Sequence, residues 1–465
     1  MSGLDELTRE ELIELVLKLH ETVQTQQKEL SELKAVVQRQ AERIAELEEE
    51  VARLRSGRPP VQLCVKPSAA KKEKGPRKKR KHSFSRHALS ATEVEHYAMN
   101  ECPDCGRKLS GGSVKWRHQV IDVPPVKVNV TDYLFIERRC GVCGKRWTPD
   151  PSVVLAGVVV GRKTVGIGLM SLVAHLKTVC RVPIGQIRKL LNALFGAQLS
   201  AGQIAEILHD VAEIGSLEYE QILNHVRGSP VVCGDETGWR EDGKNGYLWS
   251  FSSPQARYYT YRHSRGSVVV KEVLSDEFTG ALVSDFYAAY NIYDGMKQRC
   301  WVHLLRDLKL LVEKNPDLPE IAMWVDRVAD VYHRAEETTK TDLRDDERHW
   351  LRQSFEQELL RLSRPYAGVK SAPQRVLSER IQRFIGELLT FVQHPEVPSE
   401  NNAAERAIRP AVVARKISGG TRSEKGSNTS SVLRTLFETW GIQGRNTIDA
   451  CRDMLATAAA TSPAQ

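Results

Sequence analysis

The chain has 465 residues, too many for one ordinary domain, and 41% of them are hydrophobic. No run approaches the roughly 18 consecutive apolar residues that a membrane span needs. The first residues, MSGLDELTREEL, are acidic and amphipathic, whereas a secretory signal is a basic segment followed by an apolar one. The composition therefore excludes an integral membrane protein and predicts a cytoplasmic one. The nine cysteines are then expected to be thiols or metal ligands rather than disulfides.

Residues 1–55 are predicted to form a coiled coil through which the chain associates with a second copy. Apolar residues recur there at alternating steps of three and four: Leu12, Val16, Leu19, Val23, Leu30, Leu33, Val37, Ile44, Leu47, Val51 and Leu54. Gln26 and Gln40 occupy the same seam and would help to fix its register. A long helix packed on its own protein is the alternative.

Positive charge is concentrated in one segment. Between Ser56 and Leu89 there are eleven Lys or Arg and one Glu, a net +10 in a chain whose formal charge is +8. The segment is also rich in Pro and Gly, so residues 56–90 are predicted to be a disordered linker that neutralises DNA phosphates, chiefly through Lys78, Lys79, Arg80 and Lys81. A solubilising tether is the alternative.

Residues 91–160 are predicted to be a zinc ribbon. Two Cys-x-x-Cys-Gly knuckles, Cys102/Cys105 and Cys140/Cys143, flank a stretch with strand-like alternation, VKVNVTDYLFIERRC. Four thiolates close a tetrahedral Zn²⁺ site with no open position for water, so the site is expected to be structural. Chance pairing of free cysteines is the alternative. Arg138 and Arg139 suggest that this module faces DNA.

Residues 161–228 are predicted to be helical and organised like a helix-turn-helix. Leu190, Leu191 and Leu194 lie on one predicted apolar face, Phe195-Gly196-Ala197 allows a turn, and Ser200 is a cap for the next helix. Helical packing without DNA contact is an equally open interpretation.

Residues 229–310 are predicted to begin the catalytic core. VVCGDETGW, YLWSFSS and ARYYTYRHS read as three antiparallel strands, and GALVSDFYAAY reads as a fourth. A period of two places Asp235 and Glu236 on opposite faces, and the apolar residues before it favour Asp235 as the site residue. Asp285 likewise follows an apolar run.

Helices are predicted to fill an insertion at residues 311–398, and residues 399–455 return to the core before a tail at 456–465. Ser399 is the predicted cap of a helix that carries Glu405 one turn in. Three carboxylates, Asp235, Asp285 and Glu405, would suit two Mg²⁺ (or Mn²⁺) ions that activate the attacking oxygen and steady the leaving one. Unrelated surface acids are the alternative.

The ordered motifs CPDCG, CGVCG, GDETGW, SDFYAAY, CWVHLLRD, ENNAAERAIRP and RKISGGTRSEKGSNTSSVLRTLFETWGIQGRN together resemble the insertion sequence 66 family of bacterial transposases. The resemblance implies an α+β multidomain protein with a ribonuclease-H-like core, a helical insertion and an Asp-Asp-Glu triad at Asp235, Asp285 and Glu405. It also implies that Arg409, Arg415 and Lys416 hold the DNA backbone. Cys300 and His303 match a Cys-x-x-His feature of related transposases, and no metal is assigned to them.

The implied function is a DNA transposase that cuts transposon ends and transfers the 3′-OH into target DNA. It is expected to associate with the nucleoid and with accessory proteins of the same element. Two alternatives remain at this stage. One is a catalytically silent zinc-containing DNA-binding or regulatory protein. The other is a ribonuclease-H-type nuclease that hydrolyses DNA without joining it.

Overall fold

A computed structural model describes residues 24, 89–122, 128–161 and 163–461. The predicted coiled coil, Gln24 aside, lies outside these residues, as does nearly all of the predicted basic linker with Lys78, Lys79, Arg80 and Lys81. Both therefore stay predictions. In the described part of the chain, no helix is both long enough and apolar enough to cross a membrane.

The segment around the cysteine knuckles has little regular structure. Its two strands, β1 (Arg138–Arg139) and β2 (Arg146–Trp147), pair antiparallel, and a short helix, α1 (Pro151–Val154), follows. The strand expected between the knuckles is wrong for residues 128–137, which form no strand. The alternating residues Val130, Leu134 and Ile136 are all more than 60% exposed, so the alternation has no core to bury one face against.

Four helices precede the sheet, as the sequence predicts: α2 (Ile167–Thr178), α3 (Ile184–Phe195), α4 (Ala201–Ile214) and α5 (Ser216–Arg227). Gly196 ends α3 in the left-handed conformation at φ 69°, and Ser200 begins α4 in a capping box with Gln203. Both local predictions are confirmed. The predicted apolar face is only partly right, because Leu191 is buried but Leu194 is 59% exposed.

The central sheet has five strands in the order β5-β4-β3-β6-β7. The antiparallel meander predicted from the sequence is confirmed, and β6 and β7 continue the sheet in parallel with β3. The strands are β3 (Val231–Glu241), β4 (Lys244–Ser252), β5 (Arg257–Arg262), β6 (Ala281–Ser284) and β7 (Lys297–Arg299).

Helices surround the sheet and fill the predicted insertion. A 3₁₀ helix spans Ala288–Ile292, between β6 and β7. The remaining helices are α6 (Ser267–Leu274), α7 (Trp301–Lys314), α8 (Pro319–Thr338), α9 (Asp345–Ser363), α10 (Arg375–Arg383), α11 (Ile385–Leu388), α12 (Thr390–Gln393), α13 (Asn402–Ser418), α14 (Glu424–Ile442) and α15 (Thr447–Thr461).

The two faces of the sheet bury different partners. One face packs with α2–α6, α14 and α15 in the main hydrophobic core, which contains Val232, Trp249 and Tyr290. On the other face the small residues Ala404, Ala407 and Ala411 of α13 let this helix lie close against the strands. The face covered by α13 is the one that carries the acidic residues.

Candidate active site

Asp235 and Asp285 lie side by side on neighbouring parallel strands. Cys233 of β3 is in register with Val283 of β6, so two residues further on Asp235 is level with Asp285. Asp235 lies in the middle of β3, where its pairing with β6 ends, and Asp285 follows the last residue of β6. The register agrees with the prediction that these two aspartates are neighbours, but Asp235 is not at a strand end, because β3 continues to Glu241.

The alternation along β3 separates Asp235 from Glu236. Val231, Cys233 and Trp239 pack in the clusters formed with α13, whereas Val232 belongs to the main core on the opposite face. Asp235 shares the α13 face with Val231, Cys233 and Trp239 because side chains alternate along a strand. The choice of Asp235 over Glu236 as the residue that faces the third acid is consistent with this arrangement.

Asn401 fixes the start of α13 against β3. Its side-chain Nδ2 donates to the Gly234 carbonyl at 2.7 Å, and its backbone N–H donates to Cys300 Sγ at 3.2 Å. Asn401 is also the residue before the first turn, so the predicted cap at Ser399 is wrong; Ser399 instead contacts Tyr332 and accepts a bond from the Trp301 backbone. Glu405 lies in the first turn of α13, and its charge acts on Asp235.

The electrostatics of Asp235 reflect this crowding. Its pKa is raised from 3.8 to about 7, chiefly by burial and then by the charges of Glu236, Asp285 and Glu405, against a bond from the Glu236 N–H that lowers it. The acids are neighbours but are not yet at coordinating distances. Within residues 89–122, 128–161 and 163–461, no three His, Cys, Asp or Glu side chains lie close enough together to hold a metal ion as they stand.

The donor set nevertheless suits a hard divalent cation. Oε1 of Glu405 and Oδ1 of Asn401 are buried and have no hydrogen-bond partner in the described part of the chain. His303 Nε2 lies 3.6 Å from Oε1 of Glu405. Unpartnered carboxylate and amide oxygens, together with a carboxylate whose charge is disfavoured, are groups that Mg²⁺ would satisfy.

The Asp285 loop is supported from below by Arg299, which is fully buried at the end of β7. Its Nη1 donates to the Asp285 carbonyl at 2.8 Å and to Ser284 Oγ at 3.2 Å, and its Nε donates to Glu387 Oε2 at 2.6 Å. The Tyr287 N–H donates to Asp285 Oδ1 at 2.9 Å, which orients the carboxylate. Sequence analysis missed Arg299, because β7 (KQR) is short and polar and gives no strand signal.

Glu236 is neutralised on the far face of the sheet. Its carboxylate accepts from Tyr290 Oη at 2.7 Å and from Arg265 Nη2 at 2.8 Å. Burial raises the pKa of Glu236, while Tyr290 and Arg265 act to lower it. Gly234 makes room for this arrangement, since a Cβ there would meet Tyr290 Cε1 at 2.8 Å. No pattern in the sequence pointed to Arg265 or Tyr290.

The two cysteine knuckles have the same backbone geometry. Cys102 O accepts from Gly106 N at 2.8 Å, Cys140 O accepts from Gly144 N at 2.9 Å, and both glycines are left-handed. The pKa of Cys102 is lowered chiefly by the Asp104 N–H and that of Cys140 chiefly by the Cys143 N–H. Each pair is together, but the described residues do not gather Cys102, Cys105, Cys140 and Cys143 into one group. The zinc site stays a prediction.

The predicted DNA-binding cations that the structure describes are mostly accessible. Arg138 and Arg139 are exposed in β1, and Arg139 Nε donates to the Gly144 carbonyl at 3.2 Å. Arg409 and Lys416 are exposed on α13, whereas Arg415 is half-buried against Gly238 with its Nε unpartnered. Sequence analysis missed Arg406, which is exposed next to Glu405.

The second helix of the predicted helix-turn-helix has the wrong charge for DNA. Helix α4, AGQIAEILHDVAEI, contains no Lys or Arg, and its Glu206 and Asp210 pair with Lys163 at 3.0 and 2.8 Å. Ile204, Ile207 and Val211 of this helix belong to the main core. Of the two interpretations, these observations favour helical packing without DNA contact.

The family model described as Transposase IS66 family matches residues 162–429, more than half of the chain and all three acids. Two proteins of Sinorhizobium fredii (strain NBRC 101917 / NGR234) are similar to it. Uncharacterized protein y4jO is 29% identical over 158 residues, 34% of this chain and 47% of that protein. Uncharacterized protein y4qI is 24% identical over 307 residues, 58% of this chain and 55% of that protein. The chain thus spans about half the length of these curated relatives.

Proposed function

The chain belongs to the IS66 family of transposases, and on that premise we propose that it is a DNA transposase whose two-metal site is held by Asp235, Asp285 and Glu405. It cuts at transposon ends and joins the freed 3′-OH to target DNA. Its ligands are Mg²⁺ or Mn²⁺ and DNA. Association through residues 1–55, accessory proteins of the same element, a nucleoid location and a ribonuclease-H-like core are parts of the same proposal.

One observation carries the proposal: Asp235, Asp285 and Glu405 come from three separate elements, and the charges of Asp285 and Glu405 act on Asp235. Two of them are level on adjacent parallel strands, and the third begins the helix that packs over those strands. In chain order, helices α8–α12 lie between the strands of the mixed sheet and the third acid. This order agrees with the core that the family resemblance implies.

The residues of this chain have distinct tasks in the proposed reaction. Two bound divalent ions would supply activation of the attacking oxygen and stabilisation of the leaving oxygen. The Tyr287 N–H holds the Asp285 carboxylate in one orientation, and Asn401 holds the first turn of α13 on β3. Arg406, Arg409 and Lys416 form no ion pair within residues 163–461, so they are free to hold phosphates beside Glu405.

The reaction has two steps, a hydrolysis and a joining step, and the joining step conserves the number of phosphodiester bonds. In the first, water attacks the phosphorus at the end of the element, and the leaving 3′ oxygen takes up a proton. In the second, that 3′-OH attacks a target phosphorus and displaces another 3′ oxygen. No covalent bond to the protein forms in either step.

The test uses purified full-length chain, DNA that contains the element's ends, and Mg²⁺ or Mn²⁺. We expect Asp235→Asn to lose cleavage and strand transfer by at least 100-fold while keeping its affinity for DNA, because the substitution removes a ligand and not the basic surface. Glu213→Gln, on the exposed side of α4, is the control. Unchanged cleavage in Asp235→Asn would eliminate the assignment, and cleavage without joining in the wild type would indicate a nuclease instead.

A further inference from the structure

The carboxylates of Asp235 and Asp285 are each held by the backbone N–H of a nearby residue. The Glu236 N–H donates to Asp235 Oδ1 at 2.9 Å, and the Tyr287 N–H donates to Asp285 Oδ1 at 2.9 Å. These two donors come from separate elements, because Glu236 lies in β3 and Tyr287 lies in the loop after β6. The orientation of the two carboxylates relative to each other therefore depends on how Glu236 and Tyr287 are fixed.

One side chain contacts both of these residues. Arg265 donates from Nε and Nη2 to Glu236 Oε1 at 3.1 and 2.8 Å. Its guanidinium carbon lies 4.1 Å from the centre of the Tyr287 ring, and its carbonyl accepts from Tyr287 Oη at 2.9 Å. Arg265 thus joins the residue that follows Asp235 to the loop that carries Asp285. An ion pair makes the first contact, and a cation–π contact and a hydrogen bond make the second.

Arg265 is itself held in place from the main core. It lies between β5 and α6, in a turn in which the Gly266 N–H donates to Ser264 Oγ at 2.9 Å. The indole N–H of Trp249, which is fully buried, donates to the Ser264 carbonyl at 3.2 Å. The turn is therefore anchored to the sheet, so the fold sets the position of Arg265 independently of its contact with Glu236.

Glu236 has a second hydrogen-bond donor, which makes the role of Arg265 separable from the burial of this carboxylate. The Glu236 side chain is 3% exposed and that of Arg265 is 47% exposed. Glu236 Oε2 accepts from Tyr290 Oη at 2.7 Å. Replacing Arg265 leaves Glu236 with this donor and lets water reach its other oxygen, because the guanidinium lies at the surface. The link to Tyr287 and the Asp285 loop, in contrast, is lost altogether.

We propose that Arg265 is a positioning residue for the site of the three acids. Through Glu236 and Tyr287 it fixes the two N–H donors, and thereby the orientation of both aspartate carboxylates towards a divalent cation. The inference rests on the proposed function, because it takes the two aspartates as metal ligands. Groups that orient such ligands without touching the metal typically contribute roughly 10- to 100-fold to metal affinity.

The experiment measures Mn²⁺ binding by the full chain without DNA, from the loss of the electron paramagnetic resonance signal of free Mn²⁺. The binding that Asp235→Asn removes defines the site of the three acids. We expect Arg265→Ala to weaken binding at this site by at least about 10-fold. The matched control, Arg262→Ala, breaks the nearby ion pair of Arg262 with Glu272 and should leave the Mn²⁺ affinity unchanged.

A second measurement needs no metal. In EDTA, hydrogen–deuterium exchange is followed in the peptides that contain the Glu236 and Tyr287 amides. We expect both amides to exchange about 10-fold faster in Arg265→Ala than in the wild type or in Arg262→Ala, because they are no longer kept on the carboxylates. Arg265→Lys keeps the charge but not the two donors or the flat stacking on Tyr287. A loss of Mn²⁺ affinity of about 3-fold in this variant serves if Arg265→Ala is unfolded.

An unchanged Mn²⁺ affinity in folded Arg265 variants would overturn the proposal, and so would an equal loss of affinity in Arg262→Ala. Faster exchange with unchanged Mn²⁺ affinity would make Arg265 a structural residue only and would also overturn it. If Asp235→Asn binds Mn²⁺ as the wild type does, the metal site of the proposed function is contradicted. The exchange measurement still decides in that case whether Arg265 holds the two amides.

Discussion

Asp235 is held where its charged form is unfavourable. The residue is enclosed by β3, β6 and α13, and three further carboxylates act on it. Its pKa of about 7, against an ordinary 3.8, means that the folded chain binds a proton that the unfolded chain has lost between these two pH values. Without metal, the free energy of unfolding therefore falls as pH rises from about 4 to about 7.

The direction of this pH dependence can be tested by measuring the free energy of unfolding. We expect Asp235→Asn to be more stable than the wild type at pH 8 by about 1–3 kcal/mol, within the roughly 4 kcal/mol that three pKa units allow, and the gain to shrink towards pH 4. Urea unfolding in EDTA at pH 4.5, 6 and 8 measures it. Saturating Mg²⁺ at pH 8 should stabilise the wild type and not the variant. A stability difference that does not vary with pH would contradict this account of Asp235.

At the residue scale, the placement of the three acids on strands and a helix was predictable, and the residues that contact them were not. Asp235, Asp285 and Glu405 follow apolar strands or begin a helix, and such positions are visible along one chain. Arg265, Tyr290 and Arg299 act through partners 14 to 88 residues away, at Glu236, Asp285 and Glu387. A pairing over that distance along the chain depends on the fold, so no local sequence pattern predicts it.

The helical insertion is fastened to the edge of the sheet at β7. Nε2 of Gln298 donates to the Leu388 carbonyl at 3.0 Å, Thr390 Oγ1 donates to the Lys297 carbonyl at 2.6 Å, and Glu387 pairs with both Lys297 and Arg299. Residues 385–393 therefore belong to the support of the Asp285 loop as much as to the insertion. The sequence boundary drawn at residue 311 separates parts that are mechanically joined.

The contacts between residues 385–393 and β7 predict that two Glu→Gln substitutions differ in their effect on the free energy of unfolding. Glu387→Gln leaves the buried Arg299 without its counter-charge, and we expect it to lower the free energy of unfolding by about 3 kcal/mol. The control, Glu313→Gln, breaks an exposed i, i+4 pair with Lys309 and should cost less than about 0.5 kcal/mol. Denaturant unfolding of both variants checks this. Equal small effects would show that Arg299 finds another partner.

Among the elements, long periodic segments were predicted well and short polar ones were not. The β3–β5 meander and helices α2–α5 have strong alternation or caps, and the structure has them. Strand β7 is missed because its residues, Lys297, Gln298 and Arg299, look like a loop. The strand expected before Cys140 fails for the opposite reason, since its alternation is present but no neighbouring layer covers it.

At the scale of the whole molecule, the segment that contains the cysteine knuckles, residues 91–160, differs from the other described residues because it buries few hydrophobic side chains. Trp116, Val142 and Trp147 are at least 67% exposed, and of the described residues of this segment only Val160, at its end, packs against the hydrophobic core. Small modules of this kind normally depend on a metal for their stability. The turns that follow Cys102 and Cys140 have the same geometry and would present the two thiols to a metal ion.

We therefore expect one zinc per chain, measured by atomic emission on protein purified without chelator. Cys102→Ser/Cys140→Ser should lose the zinc, because it removes one thiolate from each knuckle. Cys180→Ser, which alters an exposed cysteine between α2 and α3, should retain it. Zinc in equal amount in all three proteins would refute the ribbon.

The distance along the chain between the acids has a consequence for synthesis. Asp235 and Asp285 emerge from the ribosome 120 or more residues before Glu405, and Asn401 is needed to seat the helix that carries it. A nascent or prematurely terminated chain can thus contain the cysteine knuckles and most of the sheet while lacking the means to cut. Under the proposed function, the host genome is exposed to nuclease chemistry only after translation has passed α13.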